Sequence, residues 1–161
     1  MKYFFPLLFS LILFTSFAHS EKLDSALIGI HVNSLSDLRI DDRSFTVDFW
    51  VWFNFTDDSL KIQDALEVPN AKSVEFSNFS VQKKGGINWG FVKCRAVVNK
   101  EWDVSAFPFD HQQLPIRIEH SYYDIKGLRF IIDSKNSKID TAITLREWKI
   151  DSLSFFTANK T

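Results

Sequence analysis

Cysteine is almost missing: the chain of 161 residues holds one, Cys94. A single thiol excludes an intramolecular disulfide framework and a multi-cysteine zinc site. Glycine and proline are scarce as well, with five and four residues, which excludes a linker or a disordered tail. Neither sign of charge is in surplus, since 19 basic and 20 acidic side chains leave a formal net charge of −1. A nucleic-acid binder carries a clear basic excess, so nucleic acid is not an expected partner. No glycine-rich phosphate loop occurs, because Gly85-Gly86 has no flanking pattern and reads as a hairpin turn. The one long apolar run is residues 3–17, between Lys2 and Ala18-His19-Ser20. That arrangement predicts a secretory signal peptide over residues 1–20, too short for a membrane span of about 20 apolar residues. The expected mature product is one domain, residues 21–161, in the periplasm or outside the cell. Past residue 20 no apolar stretch is long enough for a helical anchor.

Aromatic residues are abundant, with 17 Phe and 5 Trp, and their spacing is informative. In residues 44–56, Phe45, Val47, Phe49, Val51, Phe53 and Phe55 alternate with Thr46, Asp48, Trp50, Trp52 and Asn54. Period-two alternation over that length predicts a strand with one face in a core and two Trp on a second, partly covered face. Shorter strands are predicted over 26–32, 73–82, 91–98, 113–120, 128–132 and 148–156. Turns are expected at Asp41-Asp42-Arg43, at 56–59 and at 133–136. Residues 24–36 hold a turn of helix at most. Short strands, polar turns and no alternating helices predict an all-β, antiparallel β-sandwich.

Residues 102–114 contain Phe107-Pro108-Phe109-Asp110. Pro108 fixes its own φ and holds Phe107 extended, so two bulky rings stand on a stiffened loop that Asp110 closes onto backbone N–H groups or turns toward a cation. Taken alone, this is a structural loop. The segment resembles the signature loop of pentameric ligand-gated ion channels, the Cys-loop receptor superfamily, where the Phe-Pro-Phe-Asp core is followed two positions later by a Gln. Gln112 matches, while Lys100 and Leu114 stand at the two cysteine positions, as in the prokaryotic branch without the disulfide. Two more stretches agree in order and spacing. Residues 49–57 are similar to the family's second strand, ending in aromatic-Thr-Asp, and residues 120–127 to the segment that ends in Tyr-Asp-x-x-Gly. The resemblance spans about residues 26–156.

The resemblance implies an immunoglobulin-like β-sandwich, the ligand-binding domain of such a channel, assembled as a homopentamer. A small molecule or an ion would bind between subunits, with Phe55, Ser121, Tyr122 and Tyr123 at the ligand-binding positions. Residues 74–77 read Val-Glu-Phe-Ser instead of the Trp-x-Pro-Asp of amine receptors, which disfavours an acetylcholine-like ligand. Phe107, Pro108, Phe109 and Asp110, with Asp41, Asp42 and Arg43 beside them, would couple the domain to a pore. Family members continue with a cleft-closing hairpin, a last strand and four membrane helices. None stands within these 161 residues, so the domain is expected to lack its last strand and to meet the membrane through a pore domain absent from this chain. The alternative is a secreted β-sandwich that binds or adheres without any channel.

Weaker signals carry bland readings. Asp41-Asp42 and Asp57-Asp58 have the oxygen chemistry of a calcium site, yet acidic pairs in turns are ordinarily solvated. His31, His111 and His120 lack zinc spacing, and His111 beside Asp110 is a candidate acid sensor. Asn54, Asn78 and Asn159 fit the N-glycosylation pattern. Cys94 reads as a small buried apolar group. No metal ligand set, no cofactor and no catalytic constellation is assigned, so an enzyme is not expected.

Overall fold

A computed structural model describes residues 24–124 and 127–158. The leader expected over residues 1–20 and the Asn159 sequon lie outside the described residues. The described residues are all-β: β1 (Asp24–Arg39), β2 (Ser44–Phe55), β3 (Leu66–Glu67), β4 (Ala71–Lys84), β5 (Ile87–Asn99), β6 (Glu119–His120), β7 (Leu128–Ile132) and β8 (Lys138–Ile139), with a 3-10 turn at Ile62–Ala65. The long strands form a sheet ordered β4-β5-β2-β1-β7, β8 continues along β1, and β3 pairs with β6 separately.

The alternation in β2 sets the layers. Phe45, Val47, Phe49, Val51, Phe53 and Phe55 are all buried. Ala26, Ile28, Ile30 and Val32 of β1 and Val92, Cys94, Ala96 and Val98 of β5 join them in one core. Burying a large apolar side chain contributes about 1.5–3 kcal/mol, so this row is the main source of stability. The opposite face of β2 carries the half-buried Trp50 and Trp52. The core is covered by Leu60, Ile62, Leu66 and Val68, and by the partly buried Trp102, Leu114, Ile116, Ile118, Ile143 and Phe155.

Residues 24–36 contain no helical turn, within the limit expected for them, and Ala26, Ile28, Ile30 and Val32 alternate into the core along β1. Three expectations are corrected. The large sheet is mixed, not antiparallel: β7 and β8 both run parallel to β1. A parallel neighbour needs a long crossover, and the chain between β5 and β7 supplies it. Of the strand predicted over 113–120, only Glu119–His120 pairs. Pro115 lacks a donor, and the Asn70 side chain takes the place of a neighbouring strand. Its Nδ2 donates to the Pro115 carbonyl at 2.8 Å and its Oδ1 accepts the Arg117 N–H at 3.0 Å. Leu114, Ile116 and Ile118 still face inward. Finally, residues 148–156 form no strand: Trp148 leans on Trp102 at 6.0 Å and Phe155 packs on the core without a backbone partner strand among the described residues.

Candidate functional site

The end of the sheet where β1 turns into β2 and β5 runs out gathers the predicted coupling residues. Arg43, at φ 49°, lets the turn close, and its N–H donates to the Ile40 carbonyl at 3.3 Å. Arg39 pairs with Asp41 at 3.2 Å, Lys72 with Asp42 at 3.1 Å and Arg43 with Glu101 at 3.4 Å. The Arg39 guanidinium holds the Asp41 carboxyl below its usual range, and the Ser44 hydroxyl, then Lys72, does the same for Asp42. These charges are solvated, so they give the turn its shape more than its stability.

Two bonds tie this turn to the following loop. The Lys100 N–H donates to the Arg43 carbonyl and Trp102 Nε1 to the Arg39 carbonyl, each at 2.9 Å. Beyond Trp102 the chain folds in consecutive turns, Phe107 N–H to the Val104 carbonyl at 3.2 Å and Phe109 N–H to the Ala106 carbonyl at 2.8 Å. Gln112 closes the loop: its Nε2 donates to Asp110 Oδ2 at 2.6 Å and also to the Asp103 carbonyl. Phe107 is 74% exposed and Phe109 85% exposed, and Ile40 and Val104 are exposed at the same end. Asp110 faces the Gln112 amide. His111 lies 3.8 Å from Asp151, both well exposed.

The predicted ligand-binding residues are split. Ser121 donates its N–H to the Ala65 carbonyl at 2.9 Å and its hydroxyl to Glu67. Tyr123 stacks obliquely on His120 at 4.6 Å, and Tyr122 meets it edge-on at 6.0 Å while remaining 79% exposed. His120 Nδ1 accepts the N–H groups of Tyr122 and Tyr123 at 3.2 and 3.3 Å. This His organises the loop, a role its lack of metal spacing left invisible. Phe55 is elsewhere. It is 4% exposed, packs against Phe53 at 6.2 Å, and touches a hollow of about 310 Å³ with Leu60, Gln63, Val81 and Asn88. Ser121, Tyr122 and Tyr123 do not line that hollow.

Burial lowers the His120 pKa, with the Lys61 backbone, Glu67 and Asp64 acting in the opposite sense. A lowered folded-state value means that the unfolded chain takes up the proton first. The contribution is therefore complete above about pH 6.5 and declines as pH falls below it. We expect the urea midpoint to drop between about pH 7.5 and about pH 5.5, and His120→Gln to flatten that part of the profile. An unchanged profile in the variant would remove His120 as the cause.

The acidic pairs are engaged by the protein itself: Asp58 accepts from Asn88 Nδ2 at 2.7 Å and pairs with Lys83, and Asp57 accepts from the Ser59 N–H at 2.7 Å. Among the described residues no group of three or more His, Cys, Asp or Glu is placed to hold a metal ion. Cys94 is fully buried, and desolvation, then Asp48, pushes its thiol up to about 12. A thiolate is the reactive form, so Cys94 should resist iodoacetamide at about pH 8 until the protein is unfolded; rapid labelling of the native state would contradict this. No protein-family model matches the sequence, and no curated protein matches it.

Proposed function

We propose that the chain is the extracytoplasmic ligand-binding part of a pentameric ligand-gated ion channel, with Phe107, Pro108, Phe109 and Asp110, beside Asp41, Asp42 and Arg43, as the element that meets the pore domain. In this reading the large sheet is one half of an immunoglobulin-like sandwich. The observation that carries the proposal is the apolar tip: Phe107 and Phe109 stand in solvent on a loop clasped by Gln112 and bound to the charged β1–β2 turn. A soluble domain gains nothing by exposing two such rings, whereas a partner surface buries them. Transmission requires contacts that differ between two states of the assembly. A stiff loop whose rings are free of the core can move as one body with the turn beside it.

The test is to read the gene past the codon for Thr161 and to size the purified product. Four apolar stretches of about 20 residues downstream, with a fivefold assembly, are expected. A stop codon at that point together with a monomer would overturn the proposal in favour of a secreted binding module.

A further inference from the structure

The face of the large sheet turned away from the core carries an aromatic trough that the proposed coupling does not use. Its volume is about 660 Å³, within the range of small-ligand sites. Trp52 forms its floor. Across the β1–β2 pair it stands opposite Gly29, and its indole lies over that residue so closely that a Cβ there would collide with the ring. One edge is tethered as well, because Nε1 donates to Asp133 Oδ2 at 3.2 Å.

Asp133 is held for this task. Only 8% exposed, it accepts the Asn136 side-chain N–H groups at 2.9 Å on both oxygens. Its own N–H donates to the Ile28 carbonyl at 2.7 Å, and the Ser137 hydroxyl accepts from the Ile30 N–H at 3.0 Å. The loop between β7 and β8 is thus laced to β1 on both sides of Gly29. Trp52 is fixed from beneath by a glycine and at its edge by a carboxylate, while remaining half-buried. Trp50 and Phe91 meet edge-on at 5.6 Å, and Trp89, 41% exposed, leans on Phe91 at 4.8 Å. Asn54 also lines the trough, and its buried Oδ1 has no hydrogen-bond partner among the described residues.

We infer that this trough binds a neutral saccharide, with a pyranose ring lying on the Trp52 indole and further units reaching Trp89. A pyranose presents C–H groups on its face and hydroxyls around its rim. The face matches a fixed aromatic floor, and the rim matches the polar side chains that line the trough, among them Asn136 and Lys138. An organic cation fits less well. The Asp133 oxygens are engaged by Trp52 and Asn136, and Lys138 places a positive charge at the same rim. A nucleic acid is disfavoured by the net charge of −1. The inference is independent of the channel proposal, because it involves neither the 103–110 loop nor the 121–123 segment.

The test is titration of the purified full chain with cellohexaose, chitohexaose and maltohexaose, read by tryptophan fluorescence and calorimetry. At least one sugar should bind saturably at up to millimolar concentration, and Trp89→Ala should weaken it about tenfold, the size of one lost stacking contact. Trp52→Phe, which keeps a ring but loses the Asp133 tether, should weaken it by a smaller factor. Trp89 is exposed enough that its replacement leaves the fold intact, which a thermal melt verifies. Absence of saturable binding by all three sugars, or binding undiminished in folded Trp89→Ala, would overturn the inference. So would tighter binding of tetramethylammonium that excludes the sugar.

Discussion

Phe53→Ala should lower the unfolding free energy by about 3–5 kcal/mol, the usual cost of deleting a buried phenyl ring. Phe53 is completely buried in the middle sheet strand, opposite Gly90 on β5, and a Cβ at Gly90 would run into its ring. The glycine leaves the room that the phenyl fills, so the neighbouring backbone has little with which to refill the void. Against a typical total of about 5–15 kcal/mol, such a loss removes a large part of the stability. The urea midpoint should fall with an unchanged slope. A loss below about 1 kcal/mol would mean that the β2 row is not the core. Phe55→Ala is the informative companion. Its burial predicts a loss of the same kind, whereas a weakened ligand response at unchanged stability would return Phe55 to ligand contact at a subunit boundary.

Phe109→Ala has the opposite profile. The ring is 85% exposed, so stability should stay within about 0.5 kcal/mol. On the channel proposal, the ligand concentration for half-maximal current should rise on the order of tenfold, inside the usual 5–150-fold span of allosteric coupling. Ligand affinity measured without gating should barely move. Equal losses in affinity and response would count against coupling, and an unchanged response would remove Phe109 from the mechanism.

Much of the sheet was legible because side-chain alternation reports burial directly. The β2 row, β4, the Gly85-Gly86 turn, β5 and β7 all form where their patterns indicate. Alternation says which side faces inward, yet nothing about which backbone lies alongside. Residues 113–118 show the difference: Leu114, Ile116 and Ile118 are inward, but Pro115 and the Asn70 amide replace a strand pairing. The parallel seat of β7 on β1 was equally hidden, since it depends on a crossover of irregular chain. At the sheet end, the loop motif announced exposed rings and Gln112, while the lacing of Trp102 and Lys100 to the β1–β2 turn is a long-range pairing with no local signal. In the trough, two Trp on the outer face were predictable. Gly29 and Asp133 were not, because Gly29 matters only once the β1–β2 register sets it under Trp52, and Asp133 only once the end of β7 lies beside β1.

The clasp formed by Gln112 also has a biochemical corollary. It joins Asp103 to Asp110 with an amide, where a sulfur bridge would demand an oxidant and a folding catalyst. The tip can therefore mature in any compartment and should ignore dithiothreitol. Its integrity is governed by solvent competition for two acceptors, so chaotropes, not reductants, are the agents that should spring it open.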